Sequence, residues 1–173
     1  MCLRIVRTII LCVSLSACLA ACQSAQAPVN ADTILMPERG GDFRGISIGD
    51  KPKAIKQNEQ ATSVYSMPDE LIYRFEPSEI DSTWYEISYS FNDAGLNNIH
   101  LDVYPANEAL EDHLSQDFSN YYNQRYGSGR LSGGIQQWRG MTDQGRFVTV
   151  SLSSGKGKEN RPCIRLVFNE SNP

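Results

Sequence analysis

The sequence is poor in the residues from which metal sites and acid–base sites are built. Its 173 residues include two histidines, His100 and His113. A metal site needs three or four ligands, and the sequence offers one spaced pair, His113 and Asp117, four residues apart on a predicted helix. Its glycine-rich stretches lack the strand–loop–helix order of a phosphate-binding loop. We therefore predict no enzyme activity, no catalytic residue, no metal and no cofactor.

Long apolar runs and clusters of positive charge are also missing. Residues 8–21 carry no charge, but these fourteen residues are fewer than the roughly 20 that a membrane-spanning helix needs. The net charge is −4, and it falls to −6 if Arg4 and Arg7 are removed with an amino-terminal signal. An acidic chain without a basic patch is not expected to bind nucleic acid.

The amino terminus is organised as an export signal that ends in a cysteine. Arg4 and Arg7 precede the apolar run, and small residues follow it, which is typical of a secretory signal peptide. The motif LAAC, from Leu19 to Cys22, resembles the lipobox of bacterial lipoproteins. That resemblance implies a signal peptide at residues 1–21, a lipid on the Cys22 thiol and cleavage before Cys22.

Two alternatives to a lipidated Cys22 remain open. The motif LSAC ends in Cys18 and also fits the lipobox, although the Ala-Ala pair and the longer apolar region before it favour Cys22. An ordinary signal peptide would be cut after Ala21 and would leave Cys22 unmodified. If Cys2, Cys12 and Cys18 leave with the signal and Cys22 carries the lipid, Cys163 is the one thiol left in the domain. We therefore expect no internal disulfide and a packed, inert Cys163 thiol.

Composition divides the rest of the chain into a tether and one domain. Residues 22–42 are small, polar and interrupted by prolines and glycines, which predicts a flexible tether about 25 Å long, or roughly 70 Å when fully extended. Residues 43–173 carry regular apolar patterns and are long enough for one core. Among bacterial lipoproteins an aspartate after the lipidated cysteine commonly keeps the protein on the inner membrane. Gln23 therefore favours the periplasmic side of the outer membrane.

Alternating and helical patterns in the domain predict an α+β fold. The alternation of apolar and polar residues predicts strands at LIYRF, WYEISYSF, LNNIHLDVY, IQQWR, RFVTVSL and CIRLVF. A short helix precedes the first three strands. A longer helix, with an apolar stripe between Asn107 and Gly127, precedes the other three. This order predicts two α-β-β-β units whose helices pack on antiparallel sheet.

The domain resembles two known groups of proteins, one in its sequence segments and one in its layout. The segments ISIGDKPKAIKQ, LIYRF and WYEISYSFNDAGLNNIHLDV resemble the SmpA/OmlA group of small outer-membrane lipoproteins, which accompany the machinery that inserts β-barrels. The match covers residues 46–103 and lacks the glycine-x-proline that usually follows the first helix of that group. The doubled layout is similar to the β-lactamase-inhibitor-protein fold, in which two units form a concave binding sheet. Either resemblance implies a protein-binding module.

Four residues are the predicted contacts with a partner protein. Trp84 and Trp138 each lie at the edge of a predicted strand, and tryptophan is enriched at binding hot spots. Lys156 and Lys158 make the loop SSGKGKENRP locally basic, which favours contact with an acidic partner.

Three functions agree with these features. The favoured one is a non-catalytic, lipid-anchored protein of the cell envelope that binds another envelope protein at the outer membrane. The alternative is a periplasmic or secreted inhibitor of an envelope hydrolase. The third is an envelope hydrolase built on His100 or His113. No small-molecule substrate is predicted.

Overall fold

The structure, a computed structural model, describes residues 29–59, 61–77 and 82–171. The predicted signal peptide and both candidate lipidation sites, Cys18 and Cys22, lie outside the described residues. No helix in the described part of the chain is both long enough and apolar enough to cross a membrane.

Three α-helices and eight strands alternate along these residues. The helices are α1 (Ala31–Leu35), α2 (Pro52–Asn58) and α3 (Glu108–Tyr126). The strands are β1 (Ser63–Ser66), β2 (Glu70–Phe75), β3 (Trp84–Asn92), β4 (Gly95–Tyr104), β5 (Arg130–Ser132), β6 (Ile135–Met141), β7 (Phe147–Lys156) and β8 (Pro162–Ser171). Two short 3₁₀ turns cover Pro37–Arg39 and Lys158–Asn160.

All eight strands form one antiparallel sheet in the order β1-β2-β3-β4-β8-β7-β6-β5. Each half of the chain contributes a helix followed by a four-stranded meander, and the halves join where β4 pairs with β8. The predicted α+β class is therefore confirmed, with helices packed on antiparallel sheet. Each unit has one strand more than predicted. The sequence pattern did not indicate the edge strands β1 and β5, because they are only four and three residues long.

The helix α3 begins and ends where its sequence predicts. The Asn107 side chain accepts a hydrogen bond from the Leu110 N–H at 3.0 Å, which caps the first turn. Gly127 ends the helix with a φ of 81°, a conformation that glycine adopts without a Cβ clash. The buried stripe of α3 packs on β6, β7 and β8. This stripe consists of Leu114, Phe118 and Tyr122.

The predicted tether is wrong over residues 29–42, which are folded onto the domain. The helix α1 carries Ile34 and Leu35 into the core, where they are 0% and 2% exposed. Asn30 and Thr33 form a reciprocal capping box at its start. A five-residue helix is too short for a periodic apolar signal, and its box closes with threonine instead of the usual glutamate or glutamine. The domain therefore begins at or before Val29, which is itself buried.

Candidate functional site: the open face of the sheet

One side of the sheet carries no α-helix within the described residues, and we call this side the open face. Along each central strand, alternate side chains point toward the helices and are buried, whereas their neighbours are partly exposed. The central part of the open face is mostly polar. It carries Arg74, Glu86, Ser88, His100, Asp102 and Arg165, together with the apolar Ile72 and Val167.

A row of charges crosses four neighbouring strands of the open face. Arg74 is in register with Glu86, Glu86 with Asp102, and Asp102 with Arg165. The Arg165 Nε lies 2.8 Å from the Asp102 Oδ1, and the Lys158 Nζ lies 2.9 Å from the Glu86 Oε1. Each of the two carboxylates in the middle of the row, Glu86 and Asp102, thus has a cationic partner.

His100 belongs to the same row through Asp102. Its Nε2 lies 3.1 Å from the Asp102 Oδ1 and 3.0 Å from the Arg165 Nε. Burial alone would raise the pKa of Asp102, but the hydrogen bonds from His100 and Arg165 outweigh it and lower that pKa to about 2. The charged form of Asp102 is therefore part of the folded structure.

Replacing Asp102 with asparagine should make the free energy of unfolding depend less on pH in the acid range. The pKa of Asp102 is depressed on folding, so its contribution is full above about pH 4 and is lost as the pH falls toward about 2. We expect the free energy of unfolding of Asp102→Asn to be lower by on the order of 2 kcal/mol at pH 6, with no difference from wild type near pH 2. Urea unfolding at both pH values measures this, and a constant deficit at both would contradict it.

Trp84 lies at one end of the open face, between two covering groups. Its ring stacks on Tyr104 at 3.9 Å between centroids, and the Arg74 guanidinium lies 4.1 Å from the opposite face. The Lys158 Nζ is 5.8 Å from the same ring. We call Arg74, Trp84, Tyr104 and Lys158 the Trp84 cluster. A cleft of about 360 Å³ beside it is lined also by Arg161.

The structure brings two of the four predicted contact residues together. Trp84 and Lys158 are neighbours in the Trp84 cluster. Lys156 is exposed at the end of β7 but lies on the helix side of the sheet, where its charge acts on Glu111 of α3, so it is not part of the open face. Sequence reasoning missed Arg74 and Tyr104, although both fall on the polar side of the alternation in their strands.

The prediction that Trp138 is a surface anchor is wrong. Trp138 is 2% exposed, and its ring packs against Tyr122 at 5.6 Å between centroids. Its Nε1 donates a hydrogen bond to the Asn123 side-chain oxygen at 2.9 Å. Trp138 lies on the helix side of β6, in phase with Gly140, whose missing side chain makes room for the Tyr126 ring. It is therefore part of the core beneath α3.

Cys163 lies in the interior of the fold, and the His113–Asp117 pair lies at the surface of α3. Cys163 is buried, which confirms a packed thiol, and burial raises its pKa to about 11. The His113 Nε2 lies 3.5 Å from the Asp117 Oδ2 on α3. The described residues contain no group of three or more potential ligands placed to hold a metal ion.

A pattern typical of hydrolases, Gly-x-Ser-x-Gly, occurs at residues 45–49 and escaped the sequence analysis. Its serine, Ser47, is 7% exposed and does not have the positive φ of a nucleophile elbow. The Ser47 N–H donates to the Asp50 carboxylate at 2.8 Å, which closes a tight loop before α2. The arrangement is that of a buried loop and lacks the geometry of an exposed nucleophile.

Comparison with known proteins found no relative. The chain matches no protein-family model, no curated protein and no solved structure. The resemblances to bacterial lipoproteins, to the SmpA/OmlA group and to the inhibitor fold therefore stay predictions.

Proposed function

We propose that this protein is a lipid-anchored, non-catalytic protein of the bacterial cell envelope that binds another envelope protein through its open face. The observation that carries the proposal is the open face itself, an eight-stranded surface with prearranged charges and a partly exposed tryptophan. A polar face with a few aromatic and arginine anchors is typical of non-obligate interfaces. The lipobox at Cys22 supports the anchor, and Gln23 supports the outer membrane.

The Trp84 cluster is the part of this face that we expect to contribute most to binding. Both flat faces of the Trp84 ring are already covered, so a partner would contact its edge together with Lys158 and Arg161. The stacked and charged neighbours hold the ring in one orientation, which reduces the entropy lost on binding.

Site-specific photo-crosslinking in living cells tests the proposal. A benzophenone side chain is placed on the open face at Ser88 of β3 or at Ser151 of β7, two positions with two strands, β4 and β8, between them. A control probe is placed at Asn120, which is exposed on α3 on the helix side. We expect the same discrete crosslinked protein from both open-face probes and not from the control.

The identity and location of the crosslinked protein separate the possible functions. A membrane-embedded or lipid-anchored partner supports the proposed role. A soluble hydrolase, inhibited by the purified protein, would instead support the inhibitor alternative. Crosslinks from Asn120 alone, or none from either open-face probe, would contradict binding through the open face.

A further inference from the structure

The outer side of β6 has a neighbour along only part of its length. The strand β5 pairs with β6 from Ile135 to Gln137 and then leaves the sheet. On its other side β6 pairs with β7 as far as Met141. The stretch from Arg139 to Met141 is therefore an exposed strand edge within the described residues.

The backbone N–H and C=O groups of β6 point alternately toward β7 and away from it. In an antiparallel pair, the N–H and C=O of alternate residues point to the same neighbour. The Thr142 N–H donates to the Arg146 carbonyl at 2.7 Å, so Thr142 faces the β7 side, and Gly140 faces it too. The N–H and C=O groups of Arg139 and Met141 must then point outward, where no described strand meets them.

Positive charge and apolar surface accompany the free edge. Arg130 and Arg139 lie on the open-face side of β5 and β6, and neither forms an ion pair with another described residue. They line a cleft of about 530 Å³ beside the edge. Met141 and Phe147, which lie opposite each other at its far end, are 61% and 42% exposed.

We propose that the Arg139–Met141 edge binds an extended acidic segment of a partner protein by strand addition. The added segment pairs with the outward groups of Arg139 and Met141. It places a carboxylate beside Arg139 and Arg130, and an apolar side chain two residues away beside Met141. The inference rests on the proposed role in protein binding, but it concerns a surface separate from the Trp84 cluster.

Charge and length argue against a second copy of this chain at the edge. Two β6 edges related by a two-fold axis would place their Arg139 side chains opposite or diagonal to each other, where like charges repel. The free edge is also only three residues long, whereas β6 has seven residues and carries β5 beside it. A short extended segment fits the available length.

Amide hydrogen exchange with short peptides tests the inference on the full-length protein purified from cells. The probe is a blocked seven-residue peptide of threonines with one aspartate and, two residues later, one leucine. The comparison peptide has lysine in place of the aspartate. In the free protein, the amides of Arg139 and Met141 should exchange faster than those of Trp138 and Gly140, which face β7. The acidic peptide should slow Arg139 and Met141 selectively, and it should bind roughly ten-fold more tightly than the lysine peptide.

Two pairs of variants separate the backbone contribution from the charge contribution. Met141→Pro removes one outward N–H without touching the pairing with β7, and it should weaken acidic-peptide binding about five-fold or more. Met141→Leu keeps both that N–H and an apolar side chain, and it should bind within about two-fold of wild type, within the spread of a single exposed substitution. Arg139→Glu should reverse the preference between the two peptides, and Arg139→Lys should retain it.

Several results would overturn the inference. These are protection of the Arg139 and Met141 amides in the free protein, equal binding of the two peptides, or protection that rises with protein concentration alone, which would indicate a second copy. Open-face crosslinks at Ser88 that persist in Arg139→Glu would show that the proposed function stands even where the strand-addition site fails.

Discussion

Replacing Glu59 with glutamine should lower the free energy of unfolding by about 3–5 kcal/mol, because it leaves a buried arginine without its counter-charge. The side chains of Arg44 and Glu59 are 2% and 0% exposed. Their pairing is bidentate, with the Arg44 Nε 2.9 Å from Oε1 and Nη2 3.0 Å from Oε2 of Glu59. The Tyr89 hydroxyl also donates to this carboxylate.

This ion pair fastens the amino-terminal segment to the sheet. Arg44 precedes α2, Glu59 follows it, and Tyr89 belongs to β3. The Arg44 Nη1 also donates to the Ile34 carbonyl in α1 at 2.8 Å. Burial opposes the charged form of Arg44, but the bonds to Glu59 outweigh it and raise its pKa, so the guanidinium stays charged. Loss of the pair should therefore loosen α1 as well as lower global stability.

Urea unfolding at neutral pH measures the effect, and two variants control it. Glu86→Gln breaks the exposed pair with Lys158 and should cost at most about 1 kcal/mol. The double variant Arg44→Met with Glu59→Leu removes both buried charges, and it should recover part of the stability lost in Glu59→Gln. Recovery is incomplete because the Tyr89 hydroxyl and the Ile34 carbonyl lose their partners. A loss of less than about 1 kcal/mol in Glu59→Gln would contradict the assigned role of the pair.

The regular elements of this fold were predictable because their patterns are long. The strand β3 alternates from Trp84 to Asn92, and the helix α3 has both a capping asparagine and a terminal glycine. Each pattern repeats often enough for burial to favour one face. The register between β4 and β8, which joins the two halves, depends on side chains far apart in sequence. No local pattern specifies it.

The failed predictions have physical reasons in particular residues. Residues 29–42 look like a linker because Pro37, Gly40 and Gly41 interrupt them, yet Ile34 and Leu35 find a buried site against the domain. Trp84 and Lys158 come together because β3, β4 and β8 pair side by side in the sheet and Lys158 lies in the turn that connects β7 to β8. Spacing along the chain contains none of that information.

The folding of residues 29–42 changes the geometry expected of an anchored protein. With lipid on Cys22 and Val29 buried in the domain, six residues would separate the lipidated residue from the fold, a reach of at most about 25 Å from Cys22 to Val29. The helix α1 packs beside α3, on the side of the sheet opposite the open face. In the anchored protein we therefore expect the helix side to lie near the membrane and the open face to point away from it, toward a partner.

Replacing Cys22 with alanine should transfer essentially all of the protein from the membrane to the soluble fraction. Stable anchoring needs more than one acyl chain, and the lipobox resemblance implies a diacylglyceryl group on the thiol and an acyl chain on the new amine. Intact mass of the wild-type protein should equal a chain that starts at Cys22 plus this lipid, and Cys22→Ala should lose the lipid mass completely.

The matched control, Cys18→Ala, keeps the LAAC motif and should leave both mass and membrane association unchanged. Loss of lipid in Cys18→Ala, with retention in Cys22→Ala, would move the anchor to the earlier motif. Ten residues would then separate Cys18 from Val29, a distance of about 40 Å at full extension. An unmodified, soluble wild-type chain would contradict the anchor altogether. The open face would then belong to a secreted protein, for which inhibition of a soluble hydrolase is the better-supported role.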